Sequence, residues 1–315
     1  MRRAFRTFIG VDLGGGKGKT TAVARLRLQQ EPGRPPHVVV DDGGSGPGWY
    51  DGRLVPYLLR HAGEAVVAID APLTLPVCVR CSLPRCPGTA ACQVEVVRWF
   101  ERRRPTADPA GKPSYTPYTQ RVTEVLLHEE EGILPREALG QGMGPLTARA
   151  AYLRRALSGA YRLHHDLIEV YPRATLARLF PDAERPRAPR GIVYRDGNGR
   201  PTTLQPDQVQ PAETQPRTLS SHVARHYKRS GHARPVRERI LESLPDLRFG
   251  PGQWRESALQ NDHQLDAVLC AYTAFLWARD GWELPADLPF LDEEGWIWVP
   301  PRAAPGGQGP AAPSV

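Results

Sequence analysis

Three aspartates in this sequence have the spacing and surroundings to share a divalent cation. Asp12 ends the apolar run FIGVD, and Asp70 ends the apolar run AVVAID. Asp266 lies in NDHQLDAVLCAYTAF, whose apolar residues recur at helical spacing, and Asp262 and His263 precede it by four and three residues. Neighbouring carboxylates repel one another, and hard cations such as Mg²⁺ or Mn²⁺ relieve that repulsion. The pattern predicts a metal site of Asp12, Asp70 and Asp266, completed by Asp262 or His263.

A structural role is the alternative for each aspartate taken alone. A strand-end aspartate can cap the turn that follows, and Asp262 stands where it could cap its helix. The combination and order of the three acids favour the metal site. Two divalent ions held by such carboxylates can activate water and stabilise a leaving oxygen, so the predicted reaction is hydrolysis of a phosphodiester bond.

Four of the five cysteines lie in one short stretch. Cys78, Cys81, Cys86 and Cys92 follow the spacing C-x₂-C-x₄-C-x₅-C. Four thiolates can bind Zn²⁺ tetrahedrally, and the same ligand set can hold an iron–sulfur cluster. The stretch 76–93 therefore predicts a Cys-rich metal-binding insertion with a structural role, with zinc favoured over iron–sulfur. Free or disulfide-linked thiols are the alternative.

The glycine-rich segment GGGKGKTT after Asp12 is similar to a phosphate-binding loop. A P-loop requires glycine where this chain has Leu13, and it requires a helix where TAVARLRL alternates like a strand. A hairpin turn fits better, and its amides, with Lys17 and Lys19, could still contact a phosphate. Sugar kinases and chaperone ATPases also open with a strand, an aspartate and a glycine turn. They need a second copy of the fold, whereas this sequence offers one.

The elements that must position these residues follow the order strand, strand, strand, helix, strand, helices, strand, insertion, helix. Short β-branched runs predict the strands, and continuous apolar runs suit central strands buried on both faces. Helices are predicted over 52–61 and 93–103, in ARAAYLRRALSGAY, and in NDHQLDAVLCAYTAFLWARDG, where one apolar stripe faces the core and Gly281 ends the helix. This order predicts an α/β, ribonuclease H-like mixed sheet, in which a three-stranded antiparallel meander joins parallel strands flanked by helices.

We expect a single domain over residues 1–300 with two insertions. One is the cysteine stretch 76–93, and the other is the Pro- and Arg-rich stretch 181–235. Residues 301–315 consist mainly of Pro, Gly and Ala, which predicts a disordered tail.

Four motifs resemble, in their order, those of a bacterial and archaeal family called domain of unknown function 429. They are IGVDL, AIDAPLTLP, EVYPRAT and NDHQLDAVLCAYTAF, and the resemblance extends from about residue 8 to residue 280. Members of that family are described as predicted nucleases with a ribonuclease H fold. The resemblance implies that Asp12, Asp70 and Asp266 are the metal-binding acids, with Asp262 or His263 as a fourth ligand. It also matches Glu169 to the family's strand-end glutamate, to which we assign no role.

The motif His263-x-x-Asp266 also resembles the last motif of Holliday-junction resolvases, which suggests a homodimer. The net charge is +7, and a basic surface attracts phosphate backbones. We therefore expect nucleic acid as the partner, held by the segment 185–200 and by Arg225, Lys228 and Arg229. Neither a membrane-spanning run nor a signal peptide is recognisable, so a cytoplasmic protein without membrane contact is expected.

The function predicted from the sequence is a divalent-metal-dependent nuclease that works by a two-metal carboxylate mechanism. One alternative is an ATP-binding phosphotransferase or ATPase of the sugar kinase and chaperone type. The other is a non-catalytic nucleic-acid-binding module in which the acids are structural. Metal-dependent cleavage of a phosphodiester bond would separate the first function from both alternatives.

Overall fold

The computed structural model of this protein describes residues 3–16, 18–103, 115–131, 133, 135–180, 226–228 and 233–301. The segment 185–200, most of the insertion 181–235 and the tail beyond residue 301 lie outside these residues. Lys17, Arg225 and Arg229 also lie outside them. The predictions made for these parts of the chain therefore stay predictions.

One mixed sheet of seven strands forms the centre of the described structure. Its strands are β1 (Thr7–Asp12), β2 (Thr21–Gln29), β3 (His37–Gly46), β4 (Ala65–Asp70), β5 (Leu167–Val170), β6 (Leu247–Phe249) and β7 (Ile297–Trp298). Their order across the sheet is β6-β3-β2-β1-β4-β5-β7. Pairing is antiparallel from β1 to β2 and from β2 to β3, and parallel at every other junction. The predicted meander joined to parallel strands is confirmed.

Helices cover both faces of this sheet. They are α1 (Asp51–Leu59), α2 (Glu95–Arg102), α3 (Val122–Glu131), α4 (Gly144–Leu157), α5 (Pro172–Leu179), α6 (Ala233–Glu242), α7 (Trp254–Gln260), α8 (Asp262–Asp280) and α9 (Leu291–Glu294). α1 and α4 pack on one face, and α8 packs on the other. α1 and α2 confirm the helices predicted over 52–61 and 93–103. Among the described residues, no helix is both long enough and apolar enough to cross a membrane.

Strand β1 is buried on both faces because its side chains are apolar at successive positions. Ile9 and Val11 belong to the apolar layer that contains α1 and α4, whereas Phe8 belongs to the layer that contains α8. Side chains alternate along a strand, so Asp12 projects to the α8 face. β1 therefore ends with a carboxylate on the face that α8 covers.

Helix α8 lies directly against β1. Gly10 permits this approach, because a Cβ atom there would lie 2.0 Å from the Ala267 carbonyl oxygen and 2.4 Å from the Ala271 nitrogen. The residues from Gln264 to Ala278 are all buried. The sequence pattern predicted that one stripe of this helix faces the core. The buried surface is larger than predicted, because neighbouring elements also cover the other sides of the helix.

The two ends of α8 have different caps. The side chain of Asn261 accepts the backbone N–H of His263 at the start of the helix, and Gly281 closes the end in the left-handed region with a φ of 68°. Gly281 was predicted as the stop. The idea that Asp262 caps the helix is wrong, because Asn261 occupies that position and Asp262 is the first helical residue.

Candidate metal centre

Asp12 and Asp70 lie side by side at the ends of neighbouring strands. β1 and β4 are parallel, and their register pairs Asp12 with Asp70. Paired residues of adjacent strands are about 4.8 Å apart and project to the same face. Helix α8 packs on this face and adds Asp266. The ligand oxygens of the three carboxylates all lie within 4.8 Å of one another, which confirms their predicted convergence.

Burial and mutual repulsion dominate the electrostatics of these acids. Burial raises the pKa of Asp266 to about 6, although the positive charge of Lys228 acts in the opposite direction. Burial, followed by the charges of Asp12 and Asp266, raises the pKa of Asp70 well above its usual range. Both shifts mean that the charged forms are disfavoured where they stand, and a bound cation would remove that penalty.

The donor chemistry fits a hard divalent cation. The group consists of carboxylate oxygens, which are the ligands that Mg²⁺ and Mn²⁺ prefer. Asp266 is fully buried; its Oδ1 accepts a hydrogen bond of 2.6 Å from the Tyr227 hydroxyl, and its Oδ2 lies 2.6 Å from the ammonium of Lys228. A buried ionised carboxylate is costly unless positive charge compensates it, and one ammonium does not compensate three acids.

His263 contacts the site through Asp12. Its Nδ1 lies 2.6 Å from Asp12 Oδ2, and the pKa of the imidazole is raised chiefly by this hydrogen bond. An ionised carboxylate can only accept, so Nδ1 carries the proton in this contact and fixes the ring beside Asp12. Asp262, the other proposed fourth ligand, is not in the group of converging carboxylates.

Tyr227 and Lys228 approach the carboxylates from a separate segment. Lys228 Nζ lies 2.6 Å from Asp266 Oδ2, and the Lys228 side chain is half exposed. The Tyr227 backbone carbonyl accepts a hydrogen bond of 2.8 Å from Arg237 Nε, which ties this segment to α6. The basic stretch around Lys228 predicted a surface that holds nucleic acid, whereas in the structure the Lys228 ammonium contacts Asp266.

Glu169 lies on the opposite face of the sheet from Asp70. It is next to Ile69 in the register of β4 and β5, and both point away from α8. The guanidinium of the fully buried Arg121 donates bonds of 2.7 Å to both oxygens of Glu169 and also pairs with Glu124. Glu169 accepts the Leu73 backbone N–H at 2.8 Å, so it holds the loop that follows Asp70. No motif or local pattern in the sequence indicates the role of Arg121.

A cavity of about 680 Å³ opens above the carboxylates. Asp12 and Asp70 line it, as do the exposed arginines Arg136 and Arg173 and the ammonium of Lys228. Acids that can hold a cation therefore share one cavity with basic groups that can bind an anion. A phosphate ester that reached the carboxylates would meet both kinds of group.

The glycine-rich segment forms the connection between β1 and β2. Gly14 N–H donates to Thr21 Oγ1, and Arg149 of α4 donates to the Gly14 carbonyl oxygen at 2.6 Å. Lys19 is exposed near the end of this connection. β2 follows directly, so the helix that a P-loop requires is not there.

The four clustered cysteines do not form a ligand set. Among the described residues, the three aspartates are the one group of at least three His, Cys, Asp or Glu side chains whose ligand atoms meet. Cys92 packs into the apolar cluster of α2 and α3 with Cys78 at its edge, whereas Cys81 and Cys86 are exposed. The thiols are neighbours, since burial and, after it, the charges of Cys92, Cys81 and Cys86 raise the pKa of Cys78. Their sulfur atoms nevertheless do not lie close enough together to form the predicted closed zinc or iron–sulfur site.

Comparison with protein-family models, with curated proteins and with solved structures finds no match for this chain. The interpretation of the site therefore depends on its geometry and on the motifs in the sequence.

Proposed function

We propose that this protein is a divalent-metal-dependent nuclease with a ribonuclease H-like fold, related to the family called domain of unknown function 429. The observation that carries the proposal is the meeting of Asp12, Asp70 and Asp266 within 4.8 Å beside a cavity lined with basic groups. The central strand order β3-β2-β1-β4-β5, with an antiparallel meander first, supports the fold assignment.

Asp12, Asp70 and Asp266 would hold the cation in this proposal. A divalent ion there supplies Lewis acidity, which lowers the pKa of water and stabilises charge on a phosphoryl group. His263 keeps the Asp12 carboxylate in one orientation through its 2.6 Å contact. Arg136 and Arg173, at the mouth of the cavity, bind phosphates of the substrate backbone. Glu169 and Arg121 are positioning residues, because they hold the loop after Asp70.

Two observations favour a nuclease over the alternatives from the sequence. A phosphotransferase of the sugar kinase type needs two copies of the fold, and the described residues form a single sheet. A purely structural role would leave three close acids with like, mutually repelling charges in a partly buried place, where apolar or amide side chains would be more stable. A catalytic metal site accounts for that cost.

The test is a panel of labelled nucleic acids incubated with Mg²⁺ or Mn²⁺. It contains single strands, duplexes, hybrids and branched junctions, and an ATP hydrolysis assay accompanies it. We expect wild-type protein to cleave at least one member and Asp12→Asn to cleave it at least a hundredfold more slowly, because the variant keeps the shape but loses a charged ligand. Asp280→Asn is the matched control, since it changes an exposed aspartate at the far end of α8.

Equal cleavage by wild type and Asp12→Asn would contradict the proposal. ATP turnover without nucleic acid cleavage would support the phosphotransferase instead. Binding of nucleic acid with neither activity, unchanged in Asp12→Asn, would support the non-catalytic module.

A further inference from the structure

The carboxylate site already contains a positive charge from the chain itself. We infer that Lys228 fills one of two cation positions in this site, so that the site binds one divalent ion rather than two. The inference rests on the proposed function. It replaces the two-metal mechanism predicted from the sequence with a mechanism that uses one metal ion and one ammonium group.

Lys228 contacts one of the three acids directly, and the other two lie close to that contact. Its Nζ lies 2.6 Å from Asp266 Oδ2, the distance of a charge-assisted hydrogen bond. The ligand oxygens of Asp12 and Asp70 lie within 4.8 Å of that of Asp266. The ammonium therefore lies within the field of the whole group, where a cation is most stabilised.

Two hydrogen bonds anchor the segment that carries Lys228, and a third fixes the arginine that makes one of them. The Tyr227 hydroxyl donates to Asp266 Oδ1 at 2.6 Å. The buried Arg237 donates to the Tyr227 carbonyl oxygen at 2.8 Å and to the Leu259 carbonyl oxygen at 3.0 Å, at the end of α7. These bonds fix the backbone next to Lys228 to α6 and α7. The fold therefore positions the Lys228 side chain beside Asp266.

Charge balance then limits the number of ions. The group offers three negative charges, and one ammonium with one divalent ion compensates them fully. A second divalent ion would leave two surplus positive charges beside the fully buried Asp266, which is costly in a low-dielectric environment. Glu169 does not add a fourth carboxylate, because Arg121 holds both of its oxygens.

The arrangement also gives Lys228 a part in catalysis. Its side chain is half exposed and lines the cavity, so its remaining N–H groups can donate to a phosphate oxygen. Charge that develops on the phosphate in the transition state would be stabilised on one side by the metal ion and on the other by this ammonium.

Metal stoichiometry tests the inference without any measurement of activity. Chelator-treated protein is titrated with Mn²⁺, with free ion followed by electron paramagnetic resonance and heat by calorimetry. Ions whose binding disappears in Asp70→Asn are counted as bound at the site. We expect one such ion per chain in wild type and in Lys228→Arg, and two in Lys228→Met. Arg34→Met is the charge control, because it removes an exposed arginine in the turn between β2 and β3, and it should bind one ion.

Two ions in wild type would overturn the inference and leave the proposed nuclease standing. One ion in Lys228→Met would also overturn it, whether affinity is unchanged or at least tenfold higher, because no second position would then exist. Circular dichroism shows whether Lys228→Met is folded. If it is not folded, the number of Mn²⁺ ions that wild type binds at the site decides whether the inference stands. Failure of every variant and of wild type to bind Mn²⁺ would instead overturn the proposed function together with the inference.

Discussion

Gly10 is the position at which one added methyl group should disturb both the fold and the metal site. In Gly10→Ala the new Cβ would stand 2.0 Å from the Ala267 carbonyl oxygen and 2.9 Å from the Cys270 Cβ, whereas ordinary contact begins at 3.4 Å. The nearest of these atoms belongs to helix backbone and cannot rotate away. Helix α8 must therefore move from β1 by more than 1 Å at this point, as the difference between those distances requires.

The cost follows from the tight packing of the core. Extra methyl groups in a well-packed interior typically cost about 1–3 kcal/mol, and a backbone collision places this variant at or above about 3 kcal/mol. Ala267 is adjacent to Asp266, so the same movement separates Asp266 from Asp12 and Asp70. We expect the affinity for Mn²⁺ to fall at least tenfold.

Chemical denaturation and Mn²⁺ titration measure the two effects. Gly159→Ala is the matched control, since a Cβ there has no neighbour within 4 Å, and it should leave both quantities close to wild type. If Gly10→Ala unfolds at the wild-type denaturant concentration, α8 does not lie as close to β1 as described. If it is destabilised but binds Mn²⁺ normally, Asp266 is not a ligand.

Three further predictions concern charge and thiol chemistry. In metal-free protein, the pKa of about 6 for Asp266 exceeds its unfolded value of 3.8, so the folded state binds the proton more tightly and loses stability as pH rises from about 4 to 6. We expect the free energy of unfolding to fall by about 3 kcal/mol over this pH range. Denaturation of wild type and of Asp266→Asn at several pH values measures this loss, and a difference between the two proteins that does not change with pH would contradict it. Arg121→Met leaves two buried carboxylates without their cation and should lower the free energy of unfolding by about 3–5 kcal/mol. Glu169→Gln leaves Arg121 paired with Glu124 and should lower it by less. Equal losses in denaturation would show that the two acids do not share the charge of Arg121. Thiol titration of native, anaerobically purified protein should show the exposed Cys81 and Cys86 reacting without bound metal, and about one equivalent of zinc by elemental analysis would contradict this.

The local pattern of the chain was sufficient to predict the five central strands of the sheet and all three acids. β1 and β4 are short apolar runs that end in aspartate, and parallel neighbours place their ends at the same edge. The meander β1-β2-β3 follows from short connections with glycine and proline turns. Asp266 was predictable because it lies beside an apolar pattern of helical period.

The remaining parts of the site depend on contacts between distant residues. Arg121 and Glu169 are 48 positions apart, and Tyr227 and Asp266 are 39 positions apart. No local periodicity encodes such pairs, so a basic stretch around Lys228 was interpreted as surface. Glu169 alternates with Ile168 and Val170 along β5, but the face that it takes relative to Asp70 is known only from the register of β5 with β4.

The contact between Asp12 and His263 has a consequence for how the protein is synthesised. These residues are 251 positions apart. Thr74, just beyond β4, donates a hydrogen bond to the Glu294 carbonyl oxygen, and these two residues are 220 positions apart. A nascent chain that still lacks α8 has the two strand-end acids but neither Asp266 nor His263. If the carboxylate site is a nuclease, it therefore stays inactive while the chain is being translated, and the messenger and ribosomal RNA around it are not exposed to an assembled site until its last helices have been made.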